Sequence, residues 1–164
     1  MDVFEEIFRK YQPDVYRFLL RLTAFDITAA EELTQETFYQ AFLSLSRFRG
    51  ECAMQTWLFR IAKNTYYKYV RKEVRQRNIT QSPPDAPSPT ETAEDREMLI
   101  CIRTLIEELD EPARSVMQYR LYSGISYSEI SQLLQIRSGT AAVIYNRTLA
   151  KLRKTLKERY GYEI

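Results

Sequence analysis

Phe4, Ile7, Phe8, Tyr11, Val15, Phe18, Leu19 and Leu22 recur at three- and four-residue intervals, the spacing that lines apolar side chains along one face of an α-helix. Pro13 falls inside this stripe; without an amide hydrogen it is predicted to interrupt the helix and open a new one at its first turn. A second helix has a start signal in Thr28-Ala29-Ala30-Glu31, which fits a capping box, and is predicted to run to about Leu45. A third covers residues 56–72: Leu58, Ile61, Ala62, Thr65 and Tyr69 share one face, and Arg60, Lys63, Asn64, Tyr67 and Arg71 the opposite one. Farther on, Ser126-Tyr127-Ser128-Glu129 is another capping box. It opens a short helix to Leu134, followed by a break at Gln135-Ile136-Arg137 and a longer helix from Ser138 to about Leu156, the order of a helix-turn-helix. Its supporting core is predicted at Ile130, Leu133, Leu134, Ile136 and Ala141. With only four glycines and no two-residue alternation, the fold class is all-α.

The helical pattern breaks once, where four of the six prolines fall within residues 83–89. Such a stretch suits an extended linker and not a helix interior. The chain is therefore predicted to form two small helical domains, 1–77 and 97–164, joined by a Pro-rich linker at 78–96, the second being the helix-turn-helix domain. Each is small for a self-sufficient core, so contact with a partner matters to both. Among 164 residues, 45% are hydrophobic and 28% charged, and no run of eighteen apolar residues offers a membrane span, so no direct membrane insertion is expected. The start of the chain lacks the basic, apolar and small-residue segments of a secretory signal, and a cytoplasmic location is expected.

Charge changes this picture only when it is divided. The 24 basic and 22 acidic residues leave a net charge of +2, yet residues 51–79 carry 7 basic against 2 acidic and residues 112–164 carry 9 against 3. Residues 80–111 carry 2 against 9. Two basic segments suited to phosphate backbones are thus separated by an acidic connector that such backbones would repel. The absence of histidine removes histidine catalysis and histidine metal sites, and Cys52 and Cys101 lie too far apart in sequence for paired-cysteine zinc spacing. Both are read as reduced thiols. Neither a glycine-rich phosphate loop nor a nucleophile motif is present, so no enzymatic activity, metal or cofactor is expected.

The outward face of the 56–72 helix combines cations, an aromatic ring and an amide, which suit single-stranded nucleic acid. Cations hold phosphates, rings stack on unpaired bases at roughly 1–3 kcal/mol each, and an amide reads a base edge. A solvated basic face with Trp57 packed inside fits the pattern equally well. Before it, Arg47-Phe48-Arg49-Gly50-Glu51-Cys52-Ala53-Met54-Gln55 reads as a loop placed to hold an extruded base. The helix-turn-helix carries a basic tail, Arg147, Lys151, Arg153 and Lys154, suited to a duplex backbone. An ordinary helical hairpin is the competing reading.

Three stretches together resemble bacterial RNA polymerase sigma factors of the extracytoplasmic-function type, or group IV. They are Ala30-Glu31-Glu32-Leu33-Thr34-Gln35-Glu36-Thr37-Phe38, then Phe48-Arg49-Gly50 with Thr56-Trp57-Leu58-Phe59-Arg60-Ile61-Ala62-Lys63-Asn64, and the helix-turn-helix with Gly139-Thr140 and Leu152-Arg153. They stand in the family's order across most of the chain. The resemblance implies that residues 1–77 are sigma region 2, which binds core RNA polymerase and recognises and melts the minus-10 element, and that residues 97–164 are region 4, which binds the minus-35 element. It implies a core interface on the beta-prime clamp helices through Glu32, Gln35, Glu36 and Tyr39, and contact of region 4 with the beta flap. It assigns minus-10 DNA to Arg47, Arg49, Gly50, Arg60, Lys63, Asn64, Tyr67 and Arg71. It assigns minus-35 DNA to Arg137, Thr140, Ala142, Val143, Asn146, Arg147 and Lys151. Promoter DNA and an anti-sigma factor are the further partners it implies.

The chain departs from the family pattern at Lys68, often aspartate, at Asp110, where a Leu-Pro pair is usual, and at Gln135, a frequent turn glycine. Ala142, Val143 and Ile144 replace side chains that are often basic or hydroxyl-bearing, which shifts minus-35 contacts toward Arg137, Thr140, Asn146, Arg147 and Lys151 and leaves apolar contact with thymine methyl groups. Two other readings compete. An operator-binding regulator would bind duplex DNA tightly without polymerase, and a helical adaptor would show no dependence on DNA.

Overall fold

In the computed structural model, which describes residues 2–77 and 93–163, every regular element is a helix or helical turn and no strand occurs among the described residues. The chain divides into two compact units, Met1–Ser88 and Pro89–Ile164. The Pro-rich stretch expected as the linker lies largely outside the described residues.

The first unit packs three helices, α1 (Val3–Leu22), α2 (Ile27–Ser44) and α3 (Met54–Arg77), each against the other two. Pro13 does not interrupt α1, which runs unbroken through it. A proline inside a helix costs about 3 kcal/mol. Both halves of α1 are nevertheless pinned to α2 or the core. Phe4 and Phe8 meet Phe42 and Phe38 edge to face, with ring centroids 5.1 and 4.9 Å apart, while Val15, Phe18, Leu19 and Leu22 are buried. The proline itself is exposed.

The expected start of α2 at Thr28 is also corrected. Ala24 and Phe25 take left-handed backbone, φ 51° and 64°, and the Phe25 amide donates to the Leu20 carbonyl at 2.7 Å, wrapping the end of α1. The chain is thereby ready to start a new helix at Asp26, whose carboxylate accepts from the Ala29 amide at 3.1 Å. A carboxylate at this position also meets the positive end of the helix dipole. Thr28 is left exposed inside the first turn.

The core of this unit joins Phe18 and Leu19 of α1, Leu33 and Phe38 of α2, and Leu58, Phe59 and Ala62 of α3. Of the inner face predicted for α3, Leu58, Ala62 and Thr65 are buried and Ile61 and Tyr69 are half-buried. Thr56, Phe59 and Tyr66 are buried as well, although the periodicity did not select them. Two neighbouring helices cover a wider arc of α3 than a single stripe describes. Phe59 turns to α1, where its ring lies 5.1 Å from that of Phe18.

The second unit comprises α4 (Ala93–Glu107), α5 (Ala113–Met117) extended by a π-helical turn at Gln118–Ser123, α6 (Tyr127–Leu134) and α7 (Ser138–Thr155), with a further π-helical turn at Leu156–Tyr160. Leu105, Ile106, Val116, Met117, Ile130 and Leu156 form its interior. Of the core expected for the helix-turn-helix, Ile130 and Ala141 are buried, and Leu133, Leu134 and Ile136 are half-buried.

The capping box at α6 forms as the sequence predicts. The Glu129 amide donates to Ser126 Oγ and the Ser126 amide to the Glu129 carboxylate, both at 3.1 Å. Ser126→Ala is expected to lower stability by about 1 kcal/mol, read as a shift of the chemical-denaturation midpoint; an unchanged midpoint would mean the cap contributes nothing. Gln135 closes α6 in left-handed backbone, φ 57°, where glycine is the usual occupant, and the Ile136 amide donates to the Ser131 carbonyl at 3.2 Å. The turn thus forms without its glycine.

Candidate functional site

On α2 the side chains sort cleanly. Ala30, Leu33, Thr34, Thr37 and Phe38 face the core, and the hydroxyls of Thr34 and Thr37 donate to carbonyls one turn back, both at 2.7 Å. Glu32, Gln35, Glu36 and Tyr39, the four residues expected at a protein interface, are all exposed on the other side, with Phe42 and Leu43 beyond them. Glu36 accepts from Gln40 Nε2 at 2.8 Å. Between α2 and α3 runs a groove of about 380 Å³ whose walls oppose Glu32 and Glu36 of α2 to Lys68 and Lys72 of α3. Lys68 was marked in the sequence only as a departure, and its place across from the α2 carboxylates could not be read from one helix alone.

The basic face of α3 is present with a division the periodicity did not give. Arg60, Asn64 and Arg71 are exposed, whereas Lys63 and Tyr67 are half-buried, with the Lys63 ammonium 5.7 Å from the centre of the Tyr67 ring. Tyr67 in turn meets Tyr66 edge to face at 5.3 Å. A cation over the face of a ring is attracted by the ring's negative face.

Upstream, the 3₁₀ turn Leu45–Arg47 delivers the chain into the loop. Arg47, Arg49, Gly50 and Glu51 are exposed, and Gly50 has φ 73°, a left-handed conformation that costs other residues about 1 kcal/mol or more. Phe48 folds back onto Trp57, with ring centroids 4.9 Å apart, so Trp57 is half-buried as a support for the loop. This Phe48–Trp57 contact is a structural feature the sequence reading missed, since no helical spacing links a loop residue to a helix residue nine positions on. Cys52 is half-buried.

In the second unit, Arg137, Thr140, Val143, Asn146, Arg147 and Lys151 are exposed. Thr140, Val143, Arg147 and Lys151 fall at three- and four-residue steps on one side of α7. Ala142 is half-buried and does not join that surface. Asn146 donates its amide nitrogen to the Ala142 carbonyl of its own helix at 3.0 Å. Arg120 lies 4.4 Å from the centre of the Tyr127 ring and donates to the Ile125 carbonyl at 3.0 Å, while Tyr127 meets Tyr145 at 6.1 Å. These contacts tie the start of α6 to α7 and to the preceding turn. Burial, with a contribution from Glu97, raises the Cys101 thiol above its usual range. No group of three or more metal-ligating side chains occurs among the described residues, and none of their helices is long and apolar enough to cross a membrane.

Two helical units, one exposing a basic and aromatic helix beside a supported loop, the other a helix-turn-helix with a basic stripe, define a two-module DNA-binding protein. The comparisons give that class its family. Residues 7–76 match the Sigma-70 region 2 model and residues 99–152 the Sigma-70 region 4 model. The RNA polymerase sigma factor YlaC of Bacillus subtilis is 29% identical over 96% of this chain and 91% of its own length. The RNA polymerase sigma-H factor of Pseudomonas aeruginosa is 30% identical over 84% and 77%. Among solved structures, the sigma factor RpoE of Bartonella quintana, in complex with the anti-sigma factor NepR, aligns with a TM-score of 0.65 at 22% identity, covering 95% of this chain and 98% of that one. CnrH, in complex with the cytosolic domain of CnrY, aligns at 0.66 and 20% identity over 95% and 88%. The chain belongs to the extracytoplasmic-function family of RNA polymerase sigma factors, and is a promoter-recognising transcription initiation factor.

Proposed function

We propose that the two units divide promoter recognition as follows. The domain within residues 1–77 binds core RNA polymerase through Glu32, Gln35, Glu36 and Tyr39 of α2, the face turned toward the beta-prime clamp helices. The loop around Arg49 and Gly50, with Arg60, Lys63, Asn64, Tyr67 and Arg71 of α3, holds the opened minus-10 strand: the cations meet phosphates and the Asn64 amide reads a base held out of the stack. Residues 97–164 place α7 in the major groove of the minus-35 duplex, where Thr140, Asn146, Arg147 and Lys151 supply polar and phosphate contacts and Val143 meets a thymine methyl group. Residues 78–96 connect the two. Region 4 also meets the beta flap. The protein works in the cytoplasm, performs no catalysis, and leaves RNA synthesis to the polymerase. An anti-sigma factor is its expected antagonist, supported by the structural relative RpoE, which is in complex with the anti-sigma factor NepR.

The observation that carries this reading is the exposure, on one unit, of two separate polar surfaces: an acidic and aromatic face on α2, and a basic, amide-bearing face on α3. Acidic side chains suit a protein partner and repel phosphates, while the α3 set does the reverse. Run-off transcription with purified core polymerase on a promoter library, with and without the protein, tests it. Initiation dependent on the protein is expected from a subset of templates sharing paired elements. Tight duplex binding without polymerase, and no dependent initiation from any template, would favour an operator-binding regulator instead.

A further inference from the structure

The loop before α3 is supported at its far end as well as by Phe48 and Trp57. Gln55, in the first turn of α3, donates from Nε2 to Asp14 Oδ2 of α1 at 2.8 Å, spanning 41 positions of the chain. The other oxygen of Asp14 accepts from Arg17, one turn along α1. Asp14 is half-buried and immediately follows the exposed Pro13. Between the Phe48–Trp57 contact and the Gln55–Asp14 contact stand the exposed Arg49, Gly50 and Glu51. A charged acceptor makes the shorter and stronger kind of hydrogen bond, and one made across separate helices fixes where the start of α3 stands.

We propose that Asp14 is a positioning residue for base capture, acting through Gln55 at the start of α3 to hold the loop at 48–53 in register with the opened strand. The proposal rests on the reading of that loop given above. Asp14 touches no base. Its carboxylate anchors the α3 end of the loop, as the ring pair anchors the other, so the exposed groups between them meet the strand already ordered. Hydrogen bonds to a base fail beyond about 3.5 Å, so a small displacement of the loop is enough to lose the base while the helices remain folded.

The test uses holoenzyme assembled from core polymerase and the full chain, with open complexes followed by 2-aminopurine fluorescence. Promoters carry either an intact non-template strand or one abasic nucleotide, moved through the minus-10 element. Wild-type protein is expected to lose open complexes sharply at one abasic position, and the ratio of intact to abasic yield measures base capture. Asp14→Ala and Gln55→Ala should each reduce that ratio by about tenfold, with the double variant no worse than either single one, the non-additivity expected of two groups acting as one unit. Asp14→Asn, which retains an acceptor oxygen, should keep most of the ratio. Core binding by fluorescence anisotropy should be unchanged in every variant. If Asp14→Ala folds poorly, Gln55→Ala carries the comparison from the other side of the bond. Should wild type lack sensitivity at every abasic position, the loop reading fails and the positioning role with it. Should wild type be sensitive while Asp14→Ala keeps the full ratio, or the two losses add, the positioning role is overturned and the loop reading stands.

Discussion

Asn64→Ala should reduce open-complex formation by about tenfold to a hundredfold, the effect of losing one side-chain amide that reads a base edge. Asn64 is exposed on α3 and contributes nothing to the core, so folding and core binding are expected to stay near wild type. Gln35→Ala on α2 should do the reverse: about fivefold weaker core binding, in the range of an ordinary interface truncation, with normal melting once polymerase is saturated. Quantitative binding to core polymerase and permanganate detection of unpaired thymines, run on both variants, separate the two. Equal losses in both assays for each variant would contradict the division of the unit into a polymerase face and a strand face.

The second large effect concerns stability. Phe18 is fully buried, its ring 5.1 Å from that of Phe59, and the pair joins α1 to α3. Truncation of such an aromatic costs about 3–5 kcal/mol, against total stabilities of about 5–15 kcal/mol for ordinary domains. Phe18→Ala is therefore expected to unfold the first unit at markedly lower denaturant, seen by circular dichroism, and to abolish promoter-dependent transcription with it. Val143→Ala, at a half-exposed position of α7, should stay within about 0.5 kcal/mol of wild type. A Phe18→Ala protein with an unchanged unfolding midpoint would mean that the aromatic pair does not hold the bundle.

The legible part of the fold was its local part. Ser126 and Glu129 announce the start of α6 because both halves of the capping box lie within one turn. The α2 residues Glu32, Gln35, Glu36 and Tyr39 were marked by the family resemblance and not by periodicity; the structure adds that they lie exposed, opposite a buried stripe of the same helix. The misreadings share a different cause. Pro13 and Thr28 were judged by local preference, and both were overruled by neighbours: Phe38 and Phe42 hold α1 through its proline, and the left-handed turn at Ala24 and Phe25 moves the start of α2 to Asp26. Phe59 and Tyr66 were missed because α3 meets two helices.

From its sequence alone, this protein is an all-helical chain with two basic segments and an acidic, proline-rich connector, and its motifs resemble the sigma family in the family's order. Those features depend on residue identity and on spacings of a few residues, which a helix converts directly into faces. Only the tertiary structure decided that Phe48 rests on Trp57, that Gln55 reaches Asp14, and that Lys68 and Lys72 stand across a groove from Glu32 and Glu36. Each of those joins residues from different elements, and the packing of one helix against another sets such contacts.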